Sequence, residues 1–222
     1  MIEALGWGAL AASSLVIGAA LGLARDWPDR LVGLVLGFGA GALISAVSFE
    51  LALEGIEEGG AAAAGIGLAF GALTYFFLSR RIQGLALGAF LDGVPEQLVL
   101  GIGIATGNGV SVGLLAAVFV SNLPEAIGSV DEMRSTRRSS AQIMRMWIVI
   151  AVVCALASVL GWVLADNIGG RVGGAINGFA AGALLVMLTD AMIPDAHRQA
   201  GQTAGLVVVL GFAVATALSQ VS

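Results

Sequence analysis

The chain has 222 residues, 58% of them hydrophobic and 11% charged, with a formal net charge of −5 and a mean hydropathy of +0.97. No soluble domain of this length needs so apolar a composition to fill its core, so the sequence reads as an integral membrane protein. The negative charge is spread along the chain, and no nucleic-acid partner is expected. The single cysteine, Cys154, excludes an internal disulfide and, lying inside an apolar run, reads first as a buried thiol.

A spanning helix needs roughly 20 apolar residues. Runs of that kind, separated by charge or glycine-rich breaks, lie at about 3–24, 31–53, 60–79, 84–106, 110–130, 143–165, 172–193 and 203–221. They predict an all-α polytopic membrane protein of eight transmembrane helices in one domain, 1–222. The first run lacks a basic leader and a small-residue cleavage site followed by a polar segment, so it is expected to be a retained span. The 33 glycines suit such a bundle, because small residues four apart let membrane helices approach closely. Gly33, Gly37 and Gly41 make one ladder, and Gly170, Gly174, Gly178 and Gly182 another.

All ten basic residues are arginines. With the N-terminus outside, nine fall on the inner side and only Arg171 on the outer, a strong positive-inside bias. Both termini are therefore expected outside. The four tryptophans, Trp7, Trp27, Trp147 and Trp162, fall near predicted helix ends, as an interfacial belt requires. Gly37-Phe38-Gly39-Ala40-Gly41-Ala42-Leu43 in the second span is echoed by Gly178-Phe179-Ala180-Ala181-Gly182-Ala183-Leu184 in the seventh. By this topology the two run in opposite directions, which predicts an inverted repeat of three, two and three helices: about 3–79, a central pair about 84–130, and about 143–221.

The central pair carries the chemistry. Phe90-Leu91-Asp92-Gly93-Val94-Pro95-Glu96 in the fourth span is answered by Phe119-Val120-Ser121-Asn122-Leu123-Pro124-Glu125 in the fifth. Helical spacing puts Asp92 and Glu96 on one face, and Ser121 and Glu125 on another, with Asn122 beside them. Pro95 and Pro124 each remove a backbone donor and release the carbonyl four residues back, at Leu91 and Val120. Three ionised carboxylates in a low-dielectric interior need compensation by a cation or by protons. A divalent ion is the natural counterion, held by Asp92, Glu96, Ser121, Asn122 and Glu125. The alternative is that the acids are protonated and merely bond across helices while the prolines kink.

These residues resemble a known family. Asp-Gly-x-Pro-Glu in the fourth span is similar to the His-Asn-x-Pro-Glu signature of the ZIP (zinc and iron permease) transporters, and Ser-Asn-x-Pro-Glu in the fifth to their second metal-binding motif. The resemblance implies Glu96 and Glu125 as metal ligands, Asn122 at a polar ligand position, and Pro95 and Pro124 at the family prolines. It implies a divalent metal ion as transported substrate, with no prosthetic group and no enzymatic activity. Asp92 and Ser121 stand where imidazole or amide ligands are usual, and Gly93 where asparagine is. An oxygen-only site moves preference away from zinc towards manganese, ferrous iron or magnesium.

Acids mark both ends of a route. Glu50 and Glu54, with Glu57 and Glu58, gather after the second span as an expected outer entrance, and Asp190, Asp195 and His197 follow the seventh as an expected exit. The stretch from Asp131 to Ser140 is expected to be an inner connection whose arginines set topology. Together these features predict a divalent metal carrier in a plasma (inner) membrane, working inward by alternating access, with lipid as its surroundings and room for a homodimer. Competing readings are a cation/proton or calcium exchanger, whose paired Pro-Glu motifs look similar, a degenerate homologue without transport, and an intramembrane enzyme, for which no Ser/His or Cys/His pairing is present at membrane depth.

Overall fold

The structure, a computed structural model, describes residues 1–81, 85–105, 112–135, 137–165 and 170–219, with side chains for all of these except 81, 85–92, 131, 132 and 135. The described residues form helices and no strand. In chain order these are α1 (Ile2–Ala24), α2 (Asp29–Ala46), α3 (Glu54–Gly59), α4 (Ala61–Arg81), α5 (Leu85–Ala105), α6 (Val112–Ser135), α7 (Ser140–Ala165), α8 (Gly170–Met187), α9 (Ile193–Ala200) and α10 (Thr203–Ser219). π-helical turns, Val47–Leu53 and Leu188–Met192, join α2 to α3 and α8 to α9 without a break.

Among the described residues, six helical stretches are long and apolar enough to cross a membrane: Ile2–Ala24, Asp29–Gly59, Ala61–Arg80, Val112–Val130, Ser140–Ala165 and Gly170–Ala200. Gly93–Ala105 and Thr203–Ser219 are shorter apolar helices. Two of the long ones have 31 residues. At about 1.5 Å per residue each approaches 46 Å, well over the roughly 30 Å of hydrocarbon, so their polar ends project into the headgroups and water. The sequence suggested ends near 53 and 193, where charge begins. The helices instead continue to Gly59 and Ala200, because the next residues that force a stop are Gly60 and Gly201, at φ +82° and +64°. Similarly, α6 carries the first half of the expected connection at 131–140 in helical form.

Glycines set the packing. A Cβ on Gly41 would collide with the carbonyl of Val208, and one on Gly211 with that of Phe38, so α2 and α10 touch backbone to backbone. Gly178 and Gly182 meet the carbonyls of Ala64 and Leu68 in the same way, and Gly67 and Gly71 those of Ala175 and Phe179, which seats α8 on α4. Further contacts pair Gly18 and Gly22 of α1 with Leu123 and Ile127 of α6, and Gly161 of α7 with Leu98 of α5. In the α2/α10, α4/α8 and α1/α6 seams, contact positions rise together along both chains, so the partners run parallel. Ser45 and Thr216 add a 2.8 Å hydroxyl bond between α2 and α10.

These seams divide the helices into two sets. Helices α1, α5, α6 and α7 pack on one another, and α2, α3, α4, α8, α9 and α10 form the other set. The sets meet closely where Gly39 of α2 faces Ser121 of α6. Between α5 and α8 the fit is looser, leaving an apolar cleft of about 190 Å³ lined by Thr74, Tyr75, Leu78, Val94, Pro95 and Phe179. Trp147 departs from the interfacial belt: it is fully buried among Leu15, Val130 and Ile143, because α7 turns that face into the first set.

Candidate metal-binding site

Pro95 and Pro124 lie inside α5 and α6, each followed directly by its glutamate. Glu96 is only 2% exposed, and its Oε2 is buried with no hydrogen-bond partner among the described residues. Glu125 comes within electrostatic reach of it from α6. The structure thus brings together the two glutamates that the sequence places 29 residues apart. Ser121 and Asn122 are buried one turn before Glu125. The Ser121 hydroxyl donates to the carbonyl of Val118 at 3.0 Å, which keeps its lone pairs as acceptors. The side chain of Asp92 lies outside the described residues, and among those described no three His, Cys, Asp or Glu side chains converge on one point.

A buried carboxylate oxygen without a hydrogen bond, like Oε2 of Glu96, is costly inside a helix bundle, and a second carboxylate in electrostatic reach adds to the cost. Oxygen atoms from Glu96, Glu125, Ser121 and Asn122, with the carbonyl freed by Pro124 at Val120, are the chemistry that hard divalent ions accept. The buried serine of α7 does not join them: the Ser158 hydroxyl donates to the carbonyls of Ala4 and Ala155, both at 2.8 Å, tying α7 to α1. Cys154 is packed in the core of the first set.

Glu125 is half-buried and lines a cavity of about 180 Å³ that also touches Tyr75, Gly128, Ser129, Asp195, Arg198 and Gln199. Asp195, expected at an exit, therefore shares this space with Glu125, and pairs with exposed Arg198 at 3.1 Å. Asp190 and His197 are exposed and do not line it. At the opposite end Glu50 turns towards the start of α6 near Gly113 and borders a separate cleft with Phe49, Leu53, Thr216 and Ser219. Glu54 is half-buried on α3, while Glu57 and Glu58 are exposed.

Several polar residues escaped notice in the sequence. Gln97, Asn177 and Gln199 each carry a buried oxygen without a partner among the described residues, and Tyr75 borders both the cavity and the apolar cleft. For Gln97, Asn177 and Tyr75 the available signal was an isolated amide or phenol inside an apolar run, which is weaker than a repeated Pro-Glu, and Gln199 lies in a charged stretch with no such signal.

No protein family model matches the chain. A protein of Arabidopsis thaliana named "Putative zinc transporter" is 28% identical to it over 215 residues, an alignment covering 84% of this chain and 34% of the relative. The chain spans about a third of the length of that relative.

Proposed function

We propose that the chain is a carrier for divalent metal cations of the ZIP kind, moving the ion inward across a plasma (inner) membrane by alternating access. One observation carries the reading: buried Glu96 and half-buried Glu125, each directly after a proline inside its helix, lie within electrostatic reach of one another, and Glu125 borders a cavity that also touches Asp195 and Arg198. The relative's name points to metal transport as well. Glu96, Glu125, Asn122, Ser121 and Asp92 are the ligands, and the all-oxygen set favours manganese, ferrous iron or magnesium over zinc.

An inverted repeat of eight helices with both termini outside is part of this reading, and the geometry supports it. The helix starts Asp29 and Gly170, the helix ends Ala46 and Met187, and the turns at Gly60 and Gly201 are each 141 residues apart. Contacts repeat in the same register: Gly33 packs on Ala196 and Ala200, and Gly174 on Gly55 and Gly59. Arg134 reaches Asp26 and the Leu23 carbonyl, at 3.3 and 2.7 Å, and Gly33 lies against Ala200, so these arginine-rich ends share one side. That side is the cytoplasm by the positive-inside rule. The cavity beside Glu125 then faces inward, and the set α1, α5, α6 and α7 is the body that moves, carrying the site against the other set.

The test is uptake into proteoliposomes of Mn²⁺, Fe²⁺, Zn²⁺ and Mg²⁺ by the wild type and by Glu96→Ala and Glu125→Ala. Both variants should remain monodisperse and lose uptake; undiminished flux in both sinks the assignment. Flux that requires an opposing sodium or calcium gradient favours an exchanger instead.

A further inference from the structure

The outer end of the molecule contains a buried amide that packing does not require. Asn177 of α8 is 3% exposed. Its Nδ2 donates to Glu58 Oε2 at 3.5 Å, the long limit of a hydrogen bond, and its Oδ1 has no partner among the described residues. An amide has two donors and an acceptor with two lone pairs, so this one is largely unsatisfied while aimed at a carboxylate. Glu54 lies one turn before Glu58 on the same face of α3. The approach is close because Gly55 and Gly59 let α3 rest on the Gly174 turn of α8.

The 141-residue register supplies a control within the same chain. It matches Asn177 with Leu36, Glu58 with Gln199, Glu57 with Arg198 and Glu54 with Asp195. A leucine, 7% exposed, fills the equivalent of the Asn177 position without difficulty. The inner copy has one acid and one base where the outer copy has three acids. Arg171 is the basic residue at the outer end; it is exposed and makes no ion pair with them among the described residues.

We propose that Asn177 and Glu58, with Glu54, form a second cation site at the α3/α8 end, selective for hard divalent ions and separate from Glu96 and Glu125. A modest turn of the amide presents Oδ1 to an ion held by the Glu58 carboxylate, which satisfies the buried oxygen and neutralises part of the acidic end. Its role as a loading site rests on the transport reading, but its existence does not.

The experiment measures Mn²⁺ binding to the purified full chain by electron paramagnetic resonance, in the wild type and in Glu96→Ala/Glu125→Ala. One class of Mn²⁺ should survive the double change and vanish when Glu58→Gln or Asn177→Leu is added, the leucine being what the other repeat carries. Asn177→Asp should tighten that class about tenfold, since it adds a charged oxygen ligand, and should make the melting temperature rise with Mn²⁺. If Asn177 only bonds Glu58, Asn177→Asp loses stability and Mn²⁺ does not restore it. The proposal is overturned by that result, by residual binding indifferent to Glu58→Gln, or by no residual binding after Glu96→Ala/Glu125→Ala. Wild-type binding that survives loss of the glutamates yet disappears with Glu58→Gln upholds this site and removes the central one.

Discussion

Gly39→Ala tests whether the two helix sets move. A Cβ at Gly39 would lie 2.7 Å from the Cα and 3.2 Å from the Cβ of Ser121, and 3.1 Å from the terminal carbon of Met192. The methionine can swing away, but the Ser121 backbone is fixed in α6, so the helices must separate by about an ångström. Overpacking of this kind costs about 1–3 kcal/mol, or roughly 5- to 150-fold in an equilibrium constant. That cost falls on the conformation in which α2 is pressed against α6. If a second conformation releases this contact, the population shifts towards it and the cavity beside Glu125 closes. Gly128→Cys is a suitable reporter, because a Cβ there meets nothing within 4 Å and the position borders the cavity, while Cys154 is 1% exposed and silent. Adding Gly39→Ala should slow labelling of that cysteine by an impermeant maleimide. If the fold has no second state, the same cost instead appears as a melting temperature lower by about 2–4 °C per kcal/mol. Unchanged labelling together with unchanged melting refutes the reasoning.

Gly182→Ala drives a methyl into the Leu68 carbonyl, and should lower the melting temperature by several degrees, at about 1–3 kcal/mol. Gly205→Ala, where a Cβ meets nothing, should be neutral or stabilising by about 0.5–1 kcal/mol, so equal losses in the two variants would contradict the account of the seams. Gly60→Ala and Gly201→Ala each place a side chain at positive φ with extended ψ, a region nearly confined to glycine, and thermal denaturation should show a loss of about 1–3 kcal/mol from backbone strain.

Membrane helices advertise themselves through composition, and the apolar runs mark the long helices, whereas α3 and α9 fall in the charged stretches after them. What composition marks less well is where a helix stops. Glu54, Glu57 and Glu58 looked like the start of a connection, yet a charged residue ends the hydrocarbon span and not the helix; backbone geometry at Gly60 does that. The glycine ladders told which faces pack closely, but not their partners, since Gly41 meeting Val208 joins residues far apart in sequence. Of the proposed central site, the sequence singled out Glu96 and Glu125 because acids and prolines have no place in lipid without a reason, and the structure places Glu96, Ser121 and Asn122 in the bundle interior with Glu125 half-buried beside them. Trp147 was misplaced because proximity to a helix end does not say which way a face turns. Asn177 was missed because a single amide in a glycine-rich helix has no repeated partner to draw attention to it; its meaning comes from comparison with Leu36.

The two 31-residue helices have a consequence for handling the protein. By carrying the chain through the bilayer and out again in continuous helix, they leave little irregular backbone beyond it. A single residue, Gly60, separates α3 from α4, two residues separate α9 from α10, and four separate α1 from α2. Proteases cut extended, mobile segments and spare helical turns. Cleavage inside the helices of 1–81 or 170–219 should therefore require unfolding first, which makes the onset of trypsin cuts at Arg30 and Arg198, against the exposed extended link at Arg25, a gauge of how often the helices around them open.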